Sequence, residues 1–178
     1  MLQNFKDNFL EKELSSDWTM YKNTDELKIF YRQEAGKQNI TLYLEKVIEC
    51  PLINFAMILC EADLFTEWLP LVVKSRLLGR ASYLRQIGEF EGWLPWPMST
   101  RSAILQVCGF YDEQDNSNLL TLRSIHGNTW LNGITIERNP QTVYADINDS
   151  CMYIKQLGEN RHILKIALNG DPKINFLP

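Results

Sequence analysis

Apolar side chains along this chain recur with two periods, and the places where one period gives way to the other divide it into elements. Over residues 2–14, Leu2, Phe5, Phe9 and Leu14 fall on one side of a helical wheel while Lys6, Asp7, Glu11 and Lys12 fall elsewhere, which predicts a leading amphipathic helix. Ser15, Ser16 and Asp17 break it, and strands are predicted at about 18–23, 27–34 and 40–50. The third is the clearest, because Ile40, Leu42, Leu44 and Ile48 alternate with Thr41, Tyr43, Glu45 and Glu49, and only Lys46 interrupts the apolar row. Pro51 opens a helix in which Leu52, Phe55, Ala56, Leu59 and Ala62 keep helical spacing, since a proline loses nothing at a first turn whose donor has no partner. A short turn from Asp63 to Trp68 follows. Strands are then predicted at about 72–79, 82–92, 101–113 and 118–126, the last two joined by a polar hairpin turn over Asp112 to Asn118. Residues 126–133, rich in His, Gly and Asn, predict a loop that contains Trp130, and two last strands are predicted at about 143–155 and 161–169. A run of some nine strands with helices only at the start and after the third predicts an α+β arrangement around a long antiparallel sheet.

One stretch departs from both periods. Trp93-Leu94-Pro95-Trp96-Pro97-Met98-Ser99-Thr100-Arg101 carries two prolines, each fixing φ and removing a backbone donor, so the chain has to turn there before a strand resumes. Beyond it Arg101, Ala103, Leu105 and Val107 share one face of the new strand, with Ser102, Ile104, Gln106 and Cys108 on the other, so a single charge heads an apolar row.

Composition narrows the function classes. The chain has 178 residues, 45% hydrophobic and 22% charged, which predicts one domain over residues 1–178 with enough apolar mass for a core. A net charge of −4 argues against a nucleic-acid face and against electrostatic anchoring on anionic membranes. Cys50, Cys60, Cys108 and Cys151 lie far apart in apolar stretches and have no metal-ligand spacing, so they read as reduced thiols, and a cytoplasmic location is expected. No run approaches the roughly 20 apolar residues of a membrane-spanning helix. The only histidines, His126 and His162, lack the local context of a zinc site or a nucleophile elbow and are expected to be hydrogen-bonded or at the surface. Asp146 and Asp149, three apart on a strand, should point to opposite faces, which argues against paired acid and base work. No catalytic residue, metal or cofactor is predicted.

The segment Glu61-Ala62-Asp63-Leu64-Phe65-Thr66-Glu67-Trp68-Leu69-Pro70 and the corner Pro95-Trp96-Pro97-Met98-Ser99-Thr100-Arg101 resemble two segments of the START (StAR-related lipid-transfer) domain family. Asp17 to Lys22 and Leu27 to Arg32 resemble its opening strand pair, and Gly170-Asp171-Pro172-Lys173 its last strand end, so the resemblance spans residues 15–178. Ser102 stands where the family pattern has an aspartate, and the chain stops where the family's long C-terminal helix begins. The resemblance implies the helix-grip fold, an α+β fold whose long curved antiparallel sheet encloses a cavity for one lipid, a phospholipid or a sterol, which the domain binds and transfers between membranes without catalysis.

From strand alternation and that topology, Leu105, Val107, Leu122, Ile147, Leu164 and Ile166 are expected to form the apolar cavity wall, with Arg101 and Trp130 as further lipid-binding residues. Arg101 is the expected head-group contact, its alternative being a structural salt bridge. Trp130 could belong to an aromatic cage, whereas Trp68 and Trp96 read as packing anchors. Lys74, Arg76 and Arg80 are candidates for transient membrane contact, or equally for edge-strand protection. Two other readings stand beside the carrier: a scaffold subunit whose protein partner covers the cavity mouth, and an enzyme of the wider superfamily using Arg101, His126 and Asp146.

Overall fold

The computed structural model describes residues 17–33, 36, 38–126, 129–131 and 133–174. The leading helix expected over residues 1–14 lies outside them. β1 (Thr19–Asn23), β2 (Leu27–Gln33) and β3 (Ile40–Glu49) form an antiparallel meander, and β3 is followed by α1 (Leu52–Cys60), a 3₁₀ turn (Ala62–Leu64) and α2 (Phe65–Trp68). β4 (Val72–Ser82), β5 (Arg85–Gly92), β6 (Arg101–Asp112) and β7 (Ser117–Ser124) make a second antiparallel run. β8 (Thr129–Leu131) pairs with β9 (Ile134–Ile136) in a separate two-stranded sheet, and β10 (Asp146–Ile147), β11 (Ser150–Gly158) and β12 (Arg161–Asp171) complete the chain.

The main sheet has ten strands in the order β1-β2-β3-β12-β11-β7-β6-β5-β4, with β10 paired to the end of β12. The last strand therefore inserts between the two meanders, and β3 pairs with β12 over ten residues, from Glu49 opposite Arg161 to Ile40 opposite Gly170. This is the helix-grip α+β architecture expected from the sequence.

Two local expectations change. The loop over 126–133 contains β8 and leads directly into β9, whose Ile136 is 1% exposed and packs with Ile87, Ile104 and Ile125, the cluster that fills the outer face of β5 and β6. Burial of that one isoleucine rather than local alternation makes the hairpin worth forming. The single strand expected over 143–155 is split. Its first part leaves the sheet's regular path to bond β6, with Ser102 N donating to Val143 O and Ala145 N to Ser102 O, where β7 has ended. Asn148 then donates its backbone N–H to Asn169 O before β11 begins.

Candidate functional site on the helix-bearing face

Residues directly opposite in antiparallel strands share a face, so the pairing registers locate every side chain. Val107 stands opposite Leu122 and Leu122 opposite Ser150. One row further, Gly109, Leu120, Met152, Ile166, Leu44 and Ile29 follow one another across β6, β7, β11, β12, β3 and β2. Ile154 stands opposite Leu164 in the next row, and Ile147 opposite Gly170, which shares the Leu164 and Ile166 face. All six expected wall residues, Leu105, Val107, Leu122, Ile147, Leu164 and Ile166, are thus on one face. Leu120, Met152, Leu44 and Ile29 belong there too: Leu120 alternates with Leu122 in β7, and Met152, Leu44 and Ile29 are set there by cross-strand pairing.

The helices lie on this same face. Phe90, opposite Ala103, stacks on Phe65 of α2 with ring centroids 5.2 Å apart and 19° between planes, and Phe65 meets Trp68 edge-on. Gln86, opposite Val107 and 7% exposed, donates from Nε2 to Cys60 O at 3.2 Å and Tyr83 O at 2.7 Å, while Arg80 Nη2 donates to Cys60 O at 2.8 Å. The end of α1 is thereby pinned to the β4–β5 hairpin, and its start follows β3, whose Glu49 pairs with Arg161. Burial pushes the Cys60 thiol pKa up, with Arg80 opposing and Glu61 adding, which suits a packed thiol rather than a nucleophile.

Arg101 is on this face by alternation, yet its guanidinium is used by the fold. Nε donates to Pro172 O at 2.9 Å, Nη2 to Lys173 O at 3.2 Å, and Nη1 to Ser99 O, Ser99 Oγ and Thr100 O. The acceptors are neighbouring and distant backbone carbonyls and the Ser99 hydroxyl, so the guanidinium ties the proline corner to the chain just past β12. Trp130 lies in β8, and its side chain is outside the described residues. Trp96, expected to pack, is 91% exposed on the proline corner.

Ser124 and Ser150, both buried on this face, are satisfied: Ser124 Oγ accepts from Ile147 N at 2.8 Å, and Ser150 Oγ accepts from Asn169 N at 2.8 Å. His162 is not. It is 2% exposed and its Nε2 is buried without a hydrogen-bond partner, contrary to the hydrogen-bonded or surface position expected for it. His126 is exposed and its Nδ1 lies 3.2 Å from Asp146 Oδ1, while Lys173 Nζ bridges Asp146 Oδ2 at 2.6 Å and Asp171 Oδ2 at 2.7 Å. These ion pairs raise the Lys173 pKa and tie the end of β12 to β10.

A hollow of about 440 Å³ lies beside β7 and β10, lined by Gln106, Arg123, Ser124, Ile125, His126, Ile147, Asn148 and Asp149. A smaller one of about 50 Å³ sits under the β4–β5 hairpin. Neither is the closed apolar chamber expected over the wall: the larger draws most of its lining from polar side chains and reaches the wall only at Ile147. Among the described residues no group of three or more His, Cys, Asp or Glu side chains could hold a metal ion, and no helix is long and apolar enough to cross a membrane.

No family model and no curated protein matches the sequence. Solved structures do match in shape. Human STARD10 superposes with a TM-score of 0.75 at 14% identity, covering 99% of this chain and 69% of that one. A STAR-related lipid transfer protein from Xanthomonas axonopodis gives 0.71 at 17% identity over 88% of this chain and 83% of its own, and human StAR-related lipid transfer protein 5 gives 0.71 at 13% over 100% and 79%. With superposition of this quality over 88–100% of its length, this chain has the fold of a START domain.

Proposed function

We propose that this chain is a non-enzymatic lipid-binding module that seats one lipid against the helix-bearing face and carries it between membranes in the cytoplasm. The observation that carries the reading is the meeting of six apolar residues from β6, β7, β10 and β12 on the one face that also holds α1 and α2. Two of the similar structures are titled lipid transfer proteins. Moving a methylene from hydrocarbon to water costs about 0.8 kcal/mol, so a lipid with some thirty of them faces roughly 24 kcal/mol on the aqueous route. An apolar face that replaces the bilayer removes most of that cost, and the protein then has only to shuttle.

The proline corner supplies the membrane contact. Trp96 is fully presented, Trp93 is half-exposed, and Trp93 N donates to Leu71 O at 2.7 Å, which sets exposed Leu71 and Val73 beside it. Indole rings favour the bilayer interface, which suits a chain whose net charge gives no electrostatic anchor.

Native mass spectrometry after gentle purification should find a co-purifying lipid, and the protein should move fluorescent lipid between vesicles. Leu122→Asp, which sets a carboxylate in the middle of the wall, should reduce transfer at least tenfold. Uniformly empty protein that neither extracts nor delivers any lipid class would sink the proposal. A second reading, a scaffold subunit, draws on Ile53, Met57 and Ile58, which leave much of α1 exposed and apolar. It requires lipid-free protein whose α1 becomes protected from proteolysis in a complex.

A further inference from the structure

We infer that Leu71 is a strained membrane anchor: with Val73 it is aimed outward to enter the hydrocarbon of a bilayer that carries no net charge, while Trp93 and Trp96 stop at the interface. The inference rests on the membrane contact of the reading above and names the residues and the kind of surface that make it. Val72 N donates to Leu69 O at 3.3 Å, closing a four-residue turn in which Pro70 is second and Leu71, with φ 69°, is third. That is the pattern of a type II turn, whose third position calls for glycine or asparagine because a Cβ at positive φ crowds the backbone. Leucine stands there instead and is 62% exposed, so packing within the described residues offsets little of the strain.

Two residues on, the backbone departs from regularity again. Val72 stands opposite Gly92 and Lys74 opposite Glu91, so Val73 is the extra residue of a β-bulge, a device that re-aims a side chain, and it too is more than half exposed. Trp93 N donates to Leu71 O at 2.7 Å, which fastens this turn to the proline corner that presents Trp96. Two separate irregularities thus turn aliphatic side chains to the outside beside two exposed indoles.

The chemistry of this rim selects its occupant. Leu71 and Val73 have no polar side-chain atom, whereas each indole keeps one N–H, so the tryptophans suit the headgroup level and the aliphatic pair the hydrocarbon beneath it. Residues 69–74 and 93–98 hold a single charge, the exposed Lys74. No carboxylate in these segments repels lipid phosphates, and one cation is too few to draw the protein to an anionic surface. None of these side chains lines either hollow, and each projects from its own bend of backbone, an arrangement that a fluid bilayer meets without a complementary surface.

Cosedimentation with dioleoylphosphatidylcholine vesicles, with the melting temperature taken on the same proteins, tests the assignment. Leu71→Asn, which tolerates the positive φ, should melt about 2–4 °C above wild type and yet bind vesicles about tenfold more weakly. Leu71→Met, which returns an apolar side chain, should bind within about threefold of wild type. Val73→Thr, which keeps the branched shape, should bind about threefold more weakly and melt with wild type. Wild-type binding should change less than about twofold between about 50 and 500 mM salt. A Leu71→Asn protein that binds as wild type does, or that melts lower, overturns the Leu71 assignment alone, and so does a wild type that binds only vesicles containing phosphatidylserine. Wild-type protein that binds vesicles through Leu71 but neither extracts nor delivers lipid overturns the carrier reading and leaves the anchor standing.

Discussion

Replacing Arg101 by leucine separates two roles that its position at the head of an apolar row leaves open. The side chain makes two long-range hydrogen bonds, to Pro172 O and Lys173 O, together with local ones to Ser99 and Thr100. Hydrogen bonds from a charged group contribute about 1.5–3 kcal/mol each, and partial exposure of this guanidinium brings the two long-range bonds together to about 2–3 kcal/mol. A domain of this length loses about 2–4 °C of Tm per kcal/mol, so Arg101→Leu should melt about 4–12 °C lower. Arg101→Lys, which keeps the charge but loses the fork, should recover no more than half of that. Urea denaturation followed by tryptophan fluorescence gives the free energy and calorimetry gives Tm. Head-group selectivity in vesicle extraction, measured well below the lowered Tm, should be that of wild type. An Arg101→Leu protein with wild-type stability but altered selectivity would show that the guanidinium serves a ligand, and the clamp reasoning would fail.

Ile104→Ala, at a residue 1% exposed in the Ile87, Ile125 and Ile136 cluster, should cost about 2–5 kcal/mol in urea denaturation, and a loss below about 1 kcal/mol would mean the outer core collapses onto the gap. Gln86→Leu removes donors from Cys60 O and Tyr83 O and should cost about 1–3 kcal/mol, with α1 becoming the first segment to exchange its amide hydrogens. An alanine at Gly88 would place Cβ 2.7 Å from Phe90 Cζ and force that ring off Phe65, so Gly88→Ala should cost about 1–3 kcal/mol and weaken lipid transfer. Burial raises the Glu45 pKa, but the Lys28 hydrogen bond, the Lys165 charge and the Tyr43 hydroxyl outweigh it and hold the carboxyl below its ordinary value. Its contribution is therefore present above the unfolded carboxylate pKa and lost as pH falls through the lowered folded value; Glu45→Gln should flatten the loss of urea resistance between about pH 5 and pH 2, and an unchanged slope would refute the linkage.

Most strands were legible because their alternation is long and strict. Ile40 to Glu49 pairs at every position with β12, where a one-residue slip would turn Leu42 and Leu44 away from the apolar face. The β8–β9 hairpin was not legible, since strands of three residues carry too little periodicity, and their worth lies in Ile136 reaching Ile104, thirty-two positions earlier. The break between β10 and β11 was hidden for a similar reason. Val143 to Ala145 are extended like a strand, but they bond Ser102 of β6, a choice made only where β7 has run out.

Covalent geometry makes side chains of an extended chain point alternately to two sides, so the residue order by itself determined which positions share a face, and the apolar wall followed from it. The tertiary structure alone decided which polar groups on that face find partners. Arg101 meets carbonyls seventy-one and seventy-two residues away, and the His162 Nε2 meets no partner among the described residues, because a hydrogen bond depends on atoms brought within about 3 Å by the path of the whole chain. Hydrophobic burial is non-directional and tolerates that uncertainty; hydrogen bonding is directional and does not.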